Sequence, residues 1–379
     1  MIVLGITLVV AGCRGNPAED PQSTVPVSTT SPSSTTSVTQ APPGAPTTST
    51  STTTLLEPAF AEGAMFLWDT AWQIAAKADA EAMTEYVDRL AAARGRGGQS
   101  ITGFWFSMVN SNQDINTPNG FGNGFGSFAD PNPAYLDDVE SLISLAHQRG
   151  LRVAIVVAWD GPARFSVEQG LLTVEMAHGY GSLLAARLTR SEFAGRDSIA
   201  AWVMGGDPTG DCCGGEHGDV WEEVVRGIQE AEATNGFPGA PILFHTAPGG
   251  HLNYVGADWI DGHAPQTGHC SDAVAATAAL NELVAAEARS APVWGNGEMR
   301  YEEINWECNG FQPITPDQVL ADAKAMADLG FMRNFVYGFD PRWDSERPGS
   351  VGMSAEGVSA GLQMILDEPG LIQTRPPLP

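Results

Sequence analysis

The stretch SIAAWVMGGD, residues 198–207, reads as a buried strand that ends in a carboxylate. Ile199 to Met204 is almost wholly apolar, with Asp197 before it and Gly205 and Gly206 after it. A short run without polar alternation predicts a strand covered on both faces, the pattern of parallel sheets. Asp207 stands at its C-terminal end, and the two glycines leave room for a ligand to approach the backbone. A second carboxylate, Glu298, closes another short run at Val293–Glu298.

The same pattern recurs on both sides of this stretch. Upstream, strands are predicted over 65–72 (MFLWDTAW), 101–110 (ITGFWFSMVN) and 151–160 (LRVAIVVAWD). Downstream they are predicted over 241–245, within 259–269, over 293–298 and over 334–338. Helical periodicity lies between them. Met83, Val87, Leu90 and Ala91 share one face, and Leu136, Val139, Leu142, Ile143 and Ala146 share another, before Gly150. Helices follow around 171–188, 220–231 and 274–286, then from Thr315-Pro316, a helix start with Pro at its first position, and over 358–365. Eight strand–helix alternations predict an α/β fold, a (β/α)8 TIM barrel, in which the C-terminal ends of the strands carry the chemistry. A doubly wound open sheet is the alternative, but neither GxGxxG between a strand and a helix nor GxxxxGK[ST] occurs.

The barrel is expected to be a single domain over 58–375. Residues 14–57 are mostly Ser, Thr and Pro and cannot bury enough surface to offset chain entropy, so a disordered stalk is expected there. Residues 1–13 end in Val10-Ala11-Gly12-Cys13 after a short apolar run, which resembles a bacterial lipobox and implies lipid attachment at Cys13. The alternative is an ordinary secretory signal peptide. Either reading exports the protein to the cell surface or beyond, with a membrane attached only through that lipid. A monomer is expected. Export permits disulfides, and Cys212, Cys213, Cys270 and Cys308 allow three pairings, a Cys270–Cys308 bridge between neighbouring loops among them. The net charge of −26 offers no basic patch, which argues against nucleic acid or anionic membrane as partners.

The predicted strand ends gather Asp69 and Trp72, Asn110, Trp159 and Asp160, Asp207, His245, Gln266 and His269, then Glu298, Arg300, Tyr301 and Glu302, and finally Tyr337 and Trp343. Aromatic rings stack on sugar faces, and acids and amides hold sugar hydroxyls. Glycoside hydrolysis needs two carboxyl groups, one protonated and one ionised, flanking the scissile bond. Strands four and seven lie across the barrel mouth from each other. That gives Asp207 as acid/base and Glu298 as nucleophile, about 5–5.5 Å apart for a retaining enzyme and about 6.5–9.5 Å for an inverting one. No cofactor is required.

WDTAW (68–72), PNPAYLDDVESLISLAHQRGL (131–151), AWVMGGD (201–207), PQTGH (265–269) and NGEMRYE (296–302) follow the order of the apiosidase-like (DUF4038) glycoside hydrolases, which this chain resembles. The resemblance implies a (β/α)8 barrel, with Asp207 at the family's acid/base position and Glu298 at its nucleophile position. It departs at Trp68 and Met299, where the family usually has Gly and Pro, and in the 208–219 loop. Those departures leave the sugar open.

Other readings of the same residues stand beside these. Glu302 could be the working acid in place of Glu298. Asp69 could be held by buried hydrogen bonding rather than by substrate. His245, His263 and His269 could bind zinc, and Asp211, Glu216, His217 and Asp219 could bind calcium. Trp68, Phe104 and Trp202 could be core packing rather than stacking platforms. The Gly- and Asn-rich loop 119–127 is long enough to cover a site and to favour exo cleavage. A glycan-binding surface lipoprotein without turnover is the alternative to an exo-acting, retaining hydrolase of plant or microbial polysaccharide.

Overall fold

In the computed structural model the chain divides into two units, 1–52 and 53–379, and every described residue belongs to the second. The structure describes residues 64–109, 114–159, 167, 169–206, 217–286, 293–303, 310, 312–338, 357–374 and 378. The expectations for Cys13, the stalk, Asn110, Asp160, Asp207, Asp211, Cys212, Cys213, Glu216, Cys308 and Trp343 lie outside the described residues.

Eight parallel strands make a nearly closed barrel: β1 (Phe66–Thr70), β2 (Ile101–Ser107), β3 (Arg152–Val156), β4 (Ile199–Gly205), β5 (Ile242–His245), β6 (Gly262–His263), β7 (Gly295–Asn296) and β8 (Asn334–Tyr337). Their order is β6-β5-β4-β3-β2-β1-β8-β7. Single bridges, His263 to Val293 and Gln266 to Glu298, knit the seam between the two ends. The stretch 199–205 is a central strand, as its apolar run predicts. It pairs with β3 on one side and β5 on the other.

Strands six and seven are much shorter than the 259–269 and 293–298 stretches suggest. Pro265 has no N–H to give a ladder, and Asp261 uses its side chain to accept from the Ile242 N–H at 2.8 Å. The path beyond β6 and β7 is therefore held by isolated bonds, among them Gly297 N–H to the Pro265 carbonyl and Thr267 N–H to the Glu298 carbonyl, both 2.9 Å.

The helices α1 (Ile74–Lys77), α2 (Ala80–Ala92), α3 (Pro133–Gln148), α4 (Val174–Leu188), α5 (Gly218–Thr234), α6 (Ala273–Ala286), α7 (Pro316–Asp328) and α8 (Ala360–Asp367) surround the strands. Their starts follow from sequence. Asp79, Asn132 and Ser359 cap α2, α3 and α8 with side-chain oxygens, and Thr315 with Gln318 forms a reciprocal box at α7. None of the described helices is long and apolar enough to cross a membrane.

Residues 119–128, after β2, are pinned rather than loose. Asp138 of α3, itself buried, accepts from Asn119 Nδ2 and Asn123 Nδ2, both at 2.9 Å. Asn119 Oδ1 then accepts from the Phe121 and Asn123 backbone. Phe125 and Phe128 both pack edge to face on Tyr180, and Phe125 also does so on Tyr135. The two tyrosines donate to the Met108 and Val157 carbonyls, just beyond β2 and β3. Residues 119–128 thus form a fixed shelf that braces two strand ends.

Candidate active site

Strand alternation sorts side chains between the barrel interior and the helix side of the wall. On β2, Trp105 points inward. Its ring meets Trp294 at 5.5 Å, His245 at 5.8 Å and Trp72 at 6.1 Å. Trp68 of β1 also faces inward, 5.5 Å from Trp294, and donates through Nε1 to Asn334 Oδ1 at 2.8 Å. These three tryptophans make a hydrocarbon floor. Above it Trp72 and Trp159 stand edge to face at 5.0 Å, with His245 5.5 Å from the first and 6.4 Å from the second.

The opposite parity takes Phe104 and Trp202 away from the interior. Phe104 packs on Tyr86 of α2, and Trp202 Nε1 donates to Glu232 of α5 at 2.7 Å. Both are wall residues, not sugar platforms.

His245 closes β5 with no exposed surface. Its Nδ1 lies 2.8 Å from the Ala264 carbonyl, an acceptor only, so Nδ1 carries the proton. Two glycines make this seat. A Cβ on Gly205, whose φ is 95°, would sit 2.1 Å from the His245 carbonyl. One on Gly297 would sit 2.5 Å from His245 Nδ1. Burial drives the imidazole pKa down to about 4, opposed in part by the Ala264 carbonyl. His245 is therefore neutral near pH 7, with a bare lone pair on Nε2.

Between pH 6.5 and about 4 the unfolded chain takes a proton that the folded imidazole refuses. The stability His245 contributes is complete above pH 6.5 and is lost as pH falls toward 4, to a total of about 3 kcal/mol. Urea unfolding of wild type and His245→Asn at neutral and acid pH checks this. The wild type should lose more stability than the variant on acidification, by about 2–3 kcal/mol.

Glu298 stands two residues past β7 and is 5% exposed. Its Oε2 is 3.8 Å from His245 Nε2, and its Oε1 is 3.2 Å from His269 Nε2. The backbone is held as firmly. Glu298 N–H donates to Asn296 Oδ1 at 3.2 Å, and Asn296 Nδ2 donates to Thr267 Oγ1 at 2.8 Å. Gln266 is bridged to Glu298 across the seam, and its N–H reaches the Thr246 carbonyl. Tyr301 lies under His269, ring centroids 4.7 Å apart, with its hydroxyl 3.1 Å from Thr70 Oγ1. Glu298, His245, His269, Gln266, Trp72, Trp159 and Tyr301 thus converge at the C-terminal end of the barrel.

Three of the residues expected to bind substrate also hold other parts of the protein. Arg300 makes a two-pronged pair with buried Asp322 of α7, at 2.8 and 2.6 Å. Burial raises the Asp322 pKa, and Arg300 opposes that rise. Arg300→Met leaves Asp322 buried without its cation and should cost about 3–5 kcal/mol, read as a fall in Tm. Adding Asp322→Leu should restore most of it, since a buried pair is worth little against packed hydrocarbon. Glu302 accepts from the Gly361 N–H at 2.8 Å, where a carboxylate suits the start of α8, and lies 3.4 Å from the Tyr337 hydroxyl. Asp69 accepts from Tyr86 of α2 at 2.5 Å, on the helix side of the wall.

Trp105, Trp294 and Asn296 belong to this arrangement and were not singled out from sequence. Alternation along β2 fixes the face that Trp105 takes but not its depth. Among the described residues no group of three or more His, Cys, Asp or Glu side chains is placed to hold a metal ion. His245 and His269 bracket Glu298 instead. Cys270 is disulfide-bonded.

No protein of curated function matches the sequence. Among solved structures, the fold is similar to a glycoside hydrolase family 5 protein from Bacteroides vulgatus, with a TM-score of 0.58 and 20% identity over 81% of this chain. This chain spans 65% of that protein's length. It is also similar to GH5_18 from Streptomyces cattleya, solved with GlcNAc, with a TM-score of 0.52, 13% identity and coverage of 81% and 80% of the two chains. A third is the exo-β-1,4-mannosidase Op5Man5 from an Opitutaceae bacterium, with a TM-score of 0.51, 14% identity and coverage of 80% and 58%. At such identities these likenesses establish the barrel. The sequence model of the apiosidase-like catalytic domain matches residues 54–340, three quarters of the chain, and the chain belongs to that family of glycoside hydrolases.

Proposed function

We propose that this glycoside hydrolase is exported, retaining and exo-acting, with Glu298 as nucleophile and Asp207 as acid/base. The observation that carries the reading is Glu298 itself. It is a nearly enclosed carboxylate past the end of β7, with an imidazole at each oxygen, and one of those imidazoles, His245, is packed against Trp72. Enclosed carboxylates flanked in this way concentrate at functional sites. Asp207 follows directly after Gly206, which is the last described residue of the β4 segment.

In the first step a Glu298 oxygen bonds to the anomeric carbon as the bond to the leaving oxygen breaks, and Asp207 gives that oxygen its proton. In the second step Asp207 takes a proton from water, the water oxygen bonds to the anomeric carbon, and the Glu298 ester is released. Trp72 and Trp159 supply stacking surface for a sugar ring. The enclosure of Glu298 supports a pocket that takes a chain end, hence exo cleavage of an oligo- or polysaccharide by a monomer. The Cys270 disulfide supports an oxidising destination, and the lipobox-like Cys13 supports a lipid anchor at the bacterial surface.

A panel of aryl glycosides and of plant and microbial polysaccharides tests the proposal. Cleavage should occur with retention at the anomeric centre, read by NMR of the first product, and should release single sugars from chain ends. Inversion or internal cutting would remove the corresponding part of it.

A further inference from the structure

The two imidazoles at Glu298 are not equivalent. His269 presents Nε2 to Oε1 at 3.2 Å, the separation of an N–H donor from a carboxylate. His245 presents Nε2 to Oε2 at 3.8 Å, but its one proton is on Nδ1, committed to Ala264. Among the described residues Nε2 has no hydrogen-bond partner, although it is wholly buried. A lone pair and a carboxylate oxygen thus face each other, and each is an acceptor. A buried acceptor left in this way is costly unless something donates to it.

The donor has to be small. Trp72, Trp105 and Trp159 close around His245 at ring separations of 5.5, 5.8 and 6.4 Å. A single protruding hydroxyl is the smallest donor that a sugar brings to such a crowded acceptor. Its place on the sugar follows from connectivity. When a Glu298 oxygen bonds to the anomeric carbon, the oxygen on the neighbouring ring carbon is three bonds away from it. A hydroxyl there can span to an acceptor 3.8 Å from Oε2 through a hydrogen bond of about 2.8 Å. Among the described residues at the end of the adjacent strand, Gly205 and Gly206 bring no side chain to compete.

We propose that His245 is a specificity-determining residue whose bare Nε2 accepts a hydrogen bond from the sugar hydroxyl on the carbon next to the anomeric carbon. The enzyme therefore requires that hydroxyl, free and unsubstituted. The inference rests on Glu298 as nucleophile. A site built around such a hydrogen bond rejects the analogue lacking it far more strongly than an apolar pocket rejects a lost methylene.

The test compares the best aryl glycoside from the panel with its 2-deoxy counterpart, on wild type, His245→Asn and Glu298→Gln. His245→Asn keeps an N–H for the Ala264 carbonyl, and its shorter amide leaves no acceptor at the Nε2 position. Wild type should favour the hydroxylated substrate in kcat/KM by about a hundredfold or more after division by the two spontaneous rates. In His245→Asn that preference should fall below about fivefold, with the loss confined to the hydroxylated substrate. Equal wild-type rates overturn the proposal even if the variant does not fold, and so does a folded His245→Asn that keeps the preference. A fully active Glu298→Gln instead overturns the nucleophile assignment, and this inference with it. Loss of activity in Glu298→Gln alongside an unaltered preference in His245→Asn removes only the His245 role.

Discussion

Glu298→Gln should lower kcat by roughly 10⁴-fold or more while leaving the fold intact. The substitution preserves shape and removes the charge, so it keeps the backbone contacts to Asn296 and Thr267 and deletes only the attacking oxygen. Stability should stay level or rise slightly, because an ionised carboxylate 3.8 Å from a neutral imidazole lone pair is a destabilised arrangement kept for function. Glu298→Ala opens a space beside His245 and His269. Small anions such as azide should restore part of its activity with a product of opposite anomeric configuration, since the anion then attacks in place of the side chain. The checks are kcat on an activated aryl glycoside and the product configuration by NMR.

Asp207→Asn should give a different signature. The loss falls on proton transfer to the leaving oxygen, worth about 10²–10⁴-fold for a poor leaving group. A glycoside whose leaving phenol needs no protonation should be cleaved in the first step almost as fast as by wild type. The covalent intermediate should then accumulate, because no base activates the water. The basic limb of the pH–rate profile, set by the acid form of Asp207, should vanish in the variant. Burst kinetics on leaving groups of graded acidity separate this outcome from a general loss of activity, which Glu298→Gln should show across the whole series.

The barrel was legible because its strands read as uninterrupted apolar runs and its helices carry caps. The Thr315 and Gln318 box, Pro133 after Asn132 and the run 199–204 all folded as their residue types dictate. The weak points were β6 and β7, where Pro265 and the glycines at 262, 295 and 297 leave only single bridges. Side-chain direction was the harder part. Asp69 and Trp72 lie three residues apart, yet one faces a helix and the other the mouth. Arg300 sits two residues past Glu298 but meets Asp322, whose place on α7 no local pattern near Arg300 discloses. Glu302 is likewise taken by the start of α8, 59 residues along the chain. His245 was legible as a strand-end residue, but its tautomer depends on a carbonyl from the next strand's extension.

The most direct measurement is the site of covalent attachment. Wild-type enzyme is incubated with a fluorinated glycoside whose intermediate turns over slowly, digested, and sequenced by tandem mass spectrometry. The peptide that spans Asn296–Glu302 contains both Glu298 and Glu302, so fragment ions decide between them. The account requires the sugar mass on Glu298. A sugar on Glu302, or complete hydrolysis with inversion and no adduct, would contradict it.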